Sequence, residues 1–242
     1  MDALARQRAA TARFWREDVS RRPGGDWAVL DTVQVHTTGL PPRHWNGAIL
    51  TAPTDLEPVL PRVAAWFAQR DKPWGLLVPA ELDVEPPGLE HALDQGVMLR
   101  SLTDLPDVQP VPVRDNAPPE DVALVQAEAF GDGYDVALAF VRPTLQADRR
   151  PPQQTITTYD DDEPVGCATV AFLDGVAGVY GVAVRAAWRR RGIGAALTAQ
   201  CLHLAAAAGC DLAYLNPSPM GHGMYGALGF RDALPFRIWV PP

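Results

Sequence analysis

Three arginines and two glycines stand together in Arg189-Arg190-Arg191-Gly192-Ile193-Gly194-Ala195. An apolar repeat starts inside this run. Ile193, Leu197, Cys201, Leu204 and Ala208 recur every three or four residues, which predicts a helix over 189–208. The first turn of a helix presents N–H groups without acceptors and a partial positive charge. Glycine lets a ligand reach that backbone because no Cβ stands in the way. With guanidinium groups alongside, the run describes a cradle for an anion, and a diphosphate suits it. The same residues also suit a plain helix start, with glycines packed on a strand and arginines in solvent.

Two other phosphate cradles are excluded by spacing. A P-loop needs Gly-Lys-Ser/Thr, which is absent here. A dinucleotide turn needs G-x-G-x-x-G directly after its strand. Here the third glycine position is Leu197, and Gly192 lies well beyond the predicted strand end at Val184. Downstream come Ser218-Pro219-Met220-Gly221 and Tyr225-Gly226-Ala227-Leu228-Gly229-Phe230. Leu228-Gly229-Phe230 by itself is a common helix end, with glycine at C′ and an apolar C″. The acidic run Asp160-Asp161-Asp162-Glu163 reads as a solvated hairpin tip. The five histidines show no metal-binding spacing, and the three cysteines (Cys167, Cys201, Cys210) form no CxxC pair.

The elements that must position these residues follow from periodicity. Helices are predicted over 3–19, 57–69, 88–95, 120–130, 136–146 and 220–228. Strands are predicted over 27–36, 46–51, 74–78, 97–102, 153–159, 165–172, 176–184, 212–215 and 236–240. Five prolines between residues 106 and 119 mark a domain boundary. Strands and helices alternate around a mixed sheet, so the fold class is α/β with mixed pairing. The expected domains are 1–108 and 109–242.

The whole chain has 242 residues, 47% hydrophobic and 21% charged, with a net charge of −8. That composition is globular, and the acidity argues against nucleic-acid binding. No apolar run approaches the ~18 residues of a membrane span. Residues 1–19 mix Arg6, Arg8 and Arg13 with Asp2, Glu17 and Asp18, so no secretory leader is read there. Unpaired cysteines suit a reducing compartment, and a cytoplasmic location is expected.

Taken in order, a strand, R-x-x-G-x-G, a long helix, a strand, then S-P-M-G and Y-x-x-L-G-F resemble the GCN5-related N-acetyltransferase (GNAT) family. The resemblance covers roughly residues 111–240. It implies the GNAT fold and acetyl-CoA as cosubstrate, with no metal. By the same resemblance the amides of Arg189, Arg190, Arg191, Gly192, Ile193, Gly194 and Ala195 hold the pyrophosphate of coenzyme A. Val182, Ala183 and Val184 flank the pantetheine arm, and the Val184 N–H faces the thioester oxygen. Ser218, Met220 and Gly221 line the other side, and Tyr225 is the general acid. Glu128 is the candidate general base, with water as the alternative.

The order helix, strand, helix, glycine, strand also occurs in the first half, ending at Gly96. Aligning Gly96 with Gly229 places Ala92 where Tyr225 stands, and the start of the helix near Leu60 has no glycines. The chain thus resembles tandem GNAT proteins with a degenerate N-terminal copy. The implied activity is transfer of an acetyl group from acetyl-CoA to a primary amine of a small molecule, less so a peptide N-terminus, in a monomer or homodimer. A coenzyme A-binding regulatory or scaffolding module without turnover is the alternative.

Overall fold

The computed structural model describes residues 2–146 and 153–242. Its helices are α1 (Ala3–Val19), α2 (Leu60–Ala68), α3 (Pro119–Phe130), α4 (Tyr134–Gln146), α5 (Ile193–Ala207) and α6 (His222–Ala227). Its strands are β1 (Asp26–Leu30), β2 (Val33–Thr37), β3 (Asn46–Leu50), β4 (Gly75–Pro79), β5 (Glu90–Ser101), β6 (Gln153–Asp160), β7 (Glu163–Leu173), β8 (Val176–Val184), β9 (Leu212–Leu215) and β10 (Arg231–Val240). Two compact units divide the chain: Met1–Val97 with Asp232–Pro242, and Met98–Arg231. The architecture is mixed α/β. Among the described residues no helix is long and apolar enough to cross a membrane.

In the first unit β1, β2 and β3 form an antiparallel meander. α2 then leads to β4, which pairs parallel with β3 from Gly47↔Gly75 to Ile49↔Leu77. β10 closes the row, antiparallel to β4. The core beneath α2 gathers Val35, Leu50, Val63, Phe67, Leu76 and Val78.

The second unit repeats this order. β6, β7 and β8 form an antiparallel meander, α5 crosses over, and β9 pairs parallel with β8. Here the closing strand is the end of β5, with Met98↔Leu215 to Ser101↔Leu212 antiparallel to β9. One sheet face is covered by α5 and α6 over Ile156, Val170, Val179, Leu197, Leu202 and Phe230. The other carries Cys167 and Ala183 against Val122, Val125 and Val141 of α3 and α4. The proline-rich stretch is fastened to this unit. Gln200 Nε2 donates to the Val111 carbonyl (2.8 Å), and Arg114 pairs with Thr157 on the outer edge of β6.

Three sequence expectations are corrected. The segment 27–36 is two strands, because Asp31 at φ 57° turns the chain between Leu30 and Val33. No glycine or proline marks that turn, and apolar alternation runs through it. The helix expected over 88–95 is the first part of β5. Its helix-forming residues have no apolar face to bury, Leu93 being 52% exposed, and strand formation overrides local preference. The helix expected from 189 begins at Ile193, leaving residues 189–192 outside it. As expected, Asp161 and Asp162 form the turn between β6 and β7, with Asp161 at φ 53°.

The end of α6 depends on Gly229, at φ 85°. A Cβ there would overlap the Arg100 guanidinium, which donates to the Leu228 carbonyl. Gly229→Ala is expected to lower unfolding stability by at least about 1–2 kcal/mol, the cost of left-handed backbone for an L-residue. Denaturant unfolding of both proteins measures it, and an unchanged midpoint would contradict this account.

Candidate active site

The site begins where two strands part. β8 pairs with β9 only from Val176↔Leu212 to Gly178↔Tyr214. β8 then runs six residues further, to Val184, held by β7 alone. A register shift between Cys167 and Thr169, with Gly181 at φ 57°, bends the strand at this point. Beyond the bend the Arg185 N–H donates to the Val165 carbonyl of β7 (2.9 Å). Backbone groups alternate sides along a strand. Val184, one residue earlier, therefore aims its N–H and C=O at the opening left by β9. The Val184 carbonyl there accepts from Arg189 Nε (3.0 Å).

Past Arg189, which is extended, the backbone alternates in hand: Arg190 has φ 64° and Gly192 φ 79°. Such alternation curls successive amides into an anion-binding concavity. Gly192 suits this conformation, whereas Arg190 holds it at a cost of about 1–2 kcal/mol. α5 follows with no side-chain cap and no acidic residue in its first turn. Its first intrahelical donor is the Ala196 N–H, to the Gly192 carbonyl (3.0 Å). The amides of Ile193, Gly194 and Ala195 thus have no acceptor within the helix. Arg190 and Arg191 are exposed, and Arg189 is half-buried. This donor set fits a dianionic diphosphate.

α6 closes on the same place. A Cβ on Gly194 would lie 3.2 Å from Met224 Sδ and 3.8 Å from Val184 Cγ2, so β8, α5 and α6 converge at that glycine. Tyr225, next to Met224, is 8% exposed and packs edge-on against Phe230. Burial, and secondarily Cys201, pushes its phenol up to about 12. Before α6 the Gly221 N–H donates to Ser218, to its carbonyl (3.0 Å) and to Oγ (3.2 Å). The Met220 side chain stands 76% exposed. Val182 packs partly buried on the α5 face, and Ala183 is buried on the α3 face.

Glu128 stands differently from the free base that the sequence suggests. Its Oε2 accepts from Arg185 Nε (2.6 Å) and its Oε1 from the Ala186 N–H (2.8 Å). The Arg185 guanidinium, then the Ala186 amide, hold its carboxyl below the usual glutamate range. That weakens it as a proton acceptor.

Sequence reasoning passed over Gly181, Arg185 and Met224. A glycine inside a strand signals a bulge, so Gly181 was open to detection. Arg185 and Met224 matter only through what they touch in the folded chain. Among the described residues no cluster of three or more His, Cys, Asp and Glu could hold a metal ion.

Residues 122–230 match the Acetyltransferase (GNAT) family. Among solved structures, a GCN5-related N-acetyltransferase from Kribbella flavida superposes with a TM-score of 0.76 at 20% identity, over 100% of this chain and 96% of that one. A GCN5-related N-acetyltransferase from Sphaerobacter thermophilus gives 0.59 at 17%, over 86% and 76%. A tandem GNAT protein from the clavulanic acid biosynthesis pathway gives 0.58 at 14%, over 86% and 77%. At these identities the likeness is one of fold. A search of the curated proteins gives no match.

Because its folded-state pKa is raised, the neutral Tyr225 phenol adds stability below pH ~10 that is lost as pH rises through about 12. In a phenolate absorbance titration, the wild-type minus Tyr225→Phe difference is expected to stay flat through pH ~10. A midpoint near 10 would show that the phenol is solvated.

Proposed function

With a domain of the Acetyltransferase (GNAT) family at residues 122–230 as premise, we propose that this acyltransferase moves the acetyl group of acetyl-CoA to a primary amine of a small molecule. The observation that carries the reading is the parting of β8 from β9 beside the amide concavity of residues 190–195. The cosubstrate supplies an acyl thioester. The amides of Ile193, Gly194 and Ala195, with the flanking arginines, bind its diphosphate.

In this reading the Val184 N–H donates to the acyl oxygen as negative charge grows there, in a direction set before the reaction starts. Tyr225 donates a hydrogen bond to the departing sulfur. With the phenol near 12 and a cysteine-type thiol near 8.5, complete proton transfer is uphill by roughly 5 kcal/mol. The phenol therefore acts as a hydrogen-bond donor in the transition state. With both Glu128 oxygens engaged, solvent takes the proton of the incoming amine. The net charge of −8 favours a cationic acceptor through long-range attraction. All catalytic groups in this reading lie within residues 109–242, and residues 1–108 supply none. A cytoplasmic location, where acetyl-CoA is supplied, belongs to the same reading.

Release of free thiol from acetyl-CoA in the presence of an amine panel is the direct test. Tyr225→Phe is expected to cut kcat about 10²-fold, the lower end of the general-acid range, with coenzyme A affinity unchanged. Below the acceptor's pKa, kcat/KM is expected to rise about tenfold per pH unit as the neutral amine becomes available. Coenzyme A binding without thiol release for any amine would favour the non-catalytic module, and no binding at millimolar concentration would overturn the reading.

A further inference from the structure

We infer that Glu128 is a positioning residue: by gripping Arg185 and the Ala186 amide it holds the link between β8 and α5, and so sets where the Val184 N–H and the amides of residues 190–195 stand. For its ligand the inference rests on the acetyl-CoA reading above.

β8 needs such a hold. Its last residues lack β9 on one side, and Arg185, just beyond it, keeps a β7 hydrogen bond on the other. Glu128, in the last turn of α3, reaches across to the two residues that follow Val184, at 2.6 and 2.8 Å. Arg185 is gripped from its far side as well. Its Nη1 donates to Glu163 Oε1 (2.5 Å) and contacts the Pro164 carbonyl (3.3 Å). The guanidinium also lies over the Trp188 ring, 5.0 Å from its centroid. Three parts of the second unit thus meet at one cation: α3, the β6–β7 hairpin and the link itself. The Arg185 side chain is 16% exposed, against 35% for Glu128 and 50% for Glu163. The pair is shielded at the arginine end, so it is screened less than a fully exposed ion pair. Four residues on, Arg189 returns to the Val184 carbonyl, so the link is tied to α3 at its start and to β8 at its end.

Removing the carboxylate leaves the Ala186 N–H without its acceptor and Arg185 with Glu163 as its one carboxylate partner, beside the Pro164 carbonyl and the Trp188 ring. The link then gains freedom on both sides of the predicted reaction centre. In the full-length protein, Glu128→Ala is expected to speed amide hydrogen exchange at Ala186, Trp188 and Arg189, the hydrogen-bonded amides of the link, with no ligand present. It is expected to raise the coenzyme A Kd by about tenfold or more, the size of a lost charged hydrogen bond. The shape of the kcat pH profile should be kept. Arg185→Ala should do the same, and the double variant should be no worse than the worse single one. Should Glu128→Ala fail to fold, Glu128→Gln keeps an acceptor for Ala186 and loses only the charge facing Arg185, so a smaller change in the same direction is expected.

Unchanged exchange with unchanged coenzyme A affinity would overturn the inference. So would a lowered melting temperature alone, which marks a merely structural role. A fall in kcat with altered pH profile but intact exchange and affinity would return Glu128 to the role of proton acceptor. If the wild type binds no coenzyme A but exchange still responds, the positioning role stands and the acetyl-CoA reading fails.

Discussion

Parallel pairing between β8 and β9 stops after three residue pairs, and the chemistry proposed for the second unit hangs on that early stop. A strand kept in register to its end would spend the Val184 N–H on its neighbour. Here the bulge at Gly181 turns β8 away, and the amide is left aimed at open space. The short β9, four residues long, cannot follow. Immediately afterwards the chain curls through two left-handed residues and enters α5. In the acetyl-CoA reading, one departure from regular pairing supplies both a donor for a growing negative charge and a set of amides for a fixed one.

The first unit shows the same order of elements without that departure. β3 remains paired with β4 to within one residue of its end. No residue between Gly39 and Asp71 has positive φ, and α2 starts with proline in place of glycine. The order of elements holds in this unit because the meander and crossover need only buried apolar faces, which Val35, Leu50, Val63 and Phe67 provide. The first unit takes its closing strand from the far end of the chain, where β10 pairs with β4, and the second closes with the end of β5 on β9. The first row therefore needs both ends of the chain, whereas the second is complete within Met98–Arg231.

Two titratable side chains beside the proposed reaction centre are each held in one state. Tyr225 is buried and stays neutral, which suits a group that lends a hydrogen bond and gives up no proton. Glu128 is kept ionised by Arg185 and the Ala186 amide, which suits a group that holds backbone in place. The two titratable residues singled out for proton chemistry are thus driven in opposite directions by burial and by pairing.

Much was legible in the residue string because it rests on local rules. The glycine and arginine spacing marked the amide concavity before α5, the 3.6-residue repeat marked α5, and the Leu228-Gly229-Phe230 ending marked the close of α6. These depend on backbone handedness and on which face of a helix is apolar, both written within a few residues of the feature. Residues 88–95 and Glu128 resisted the same treatment. A segment with helical preference became part of β5, whose end found β9 waiting for a partner, and a glutamate at the end of a helix met an arginine fifty-seven residues away. Local propensity amounts to tenths of a kcal/mol per residue, so strand pairing and charged hydrogen bonds outweigh it. Those partners exist only once the chain has folded, and so tertiary structure alone decided them.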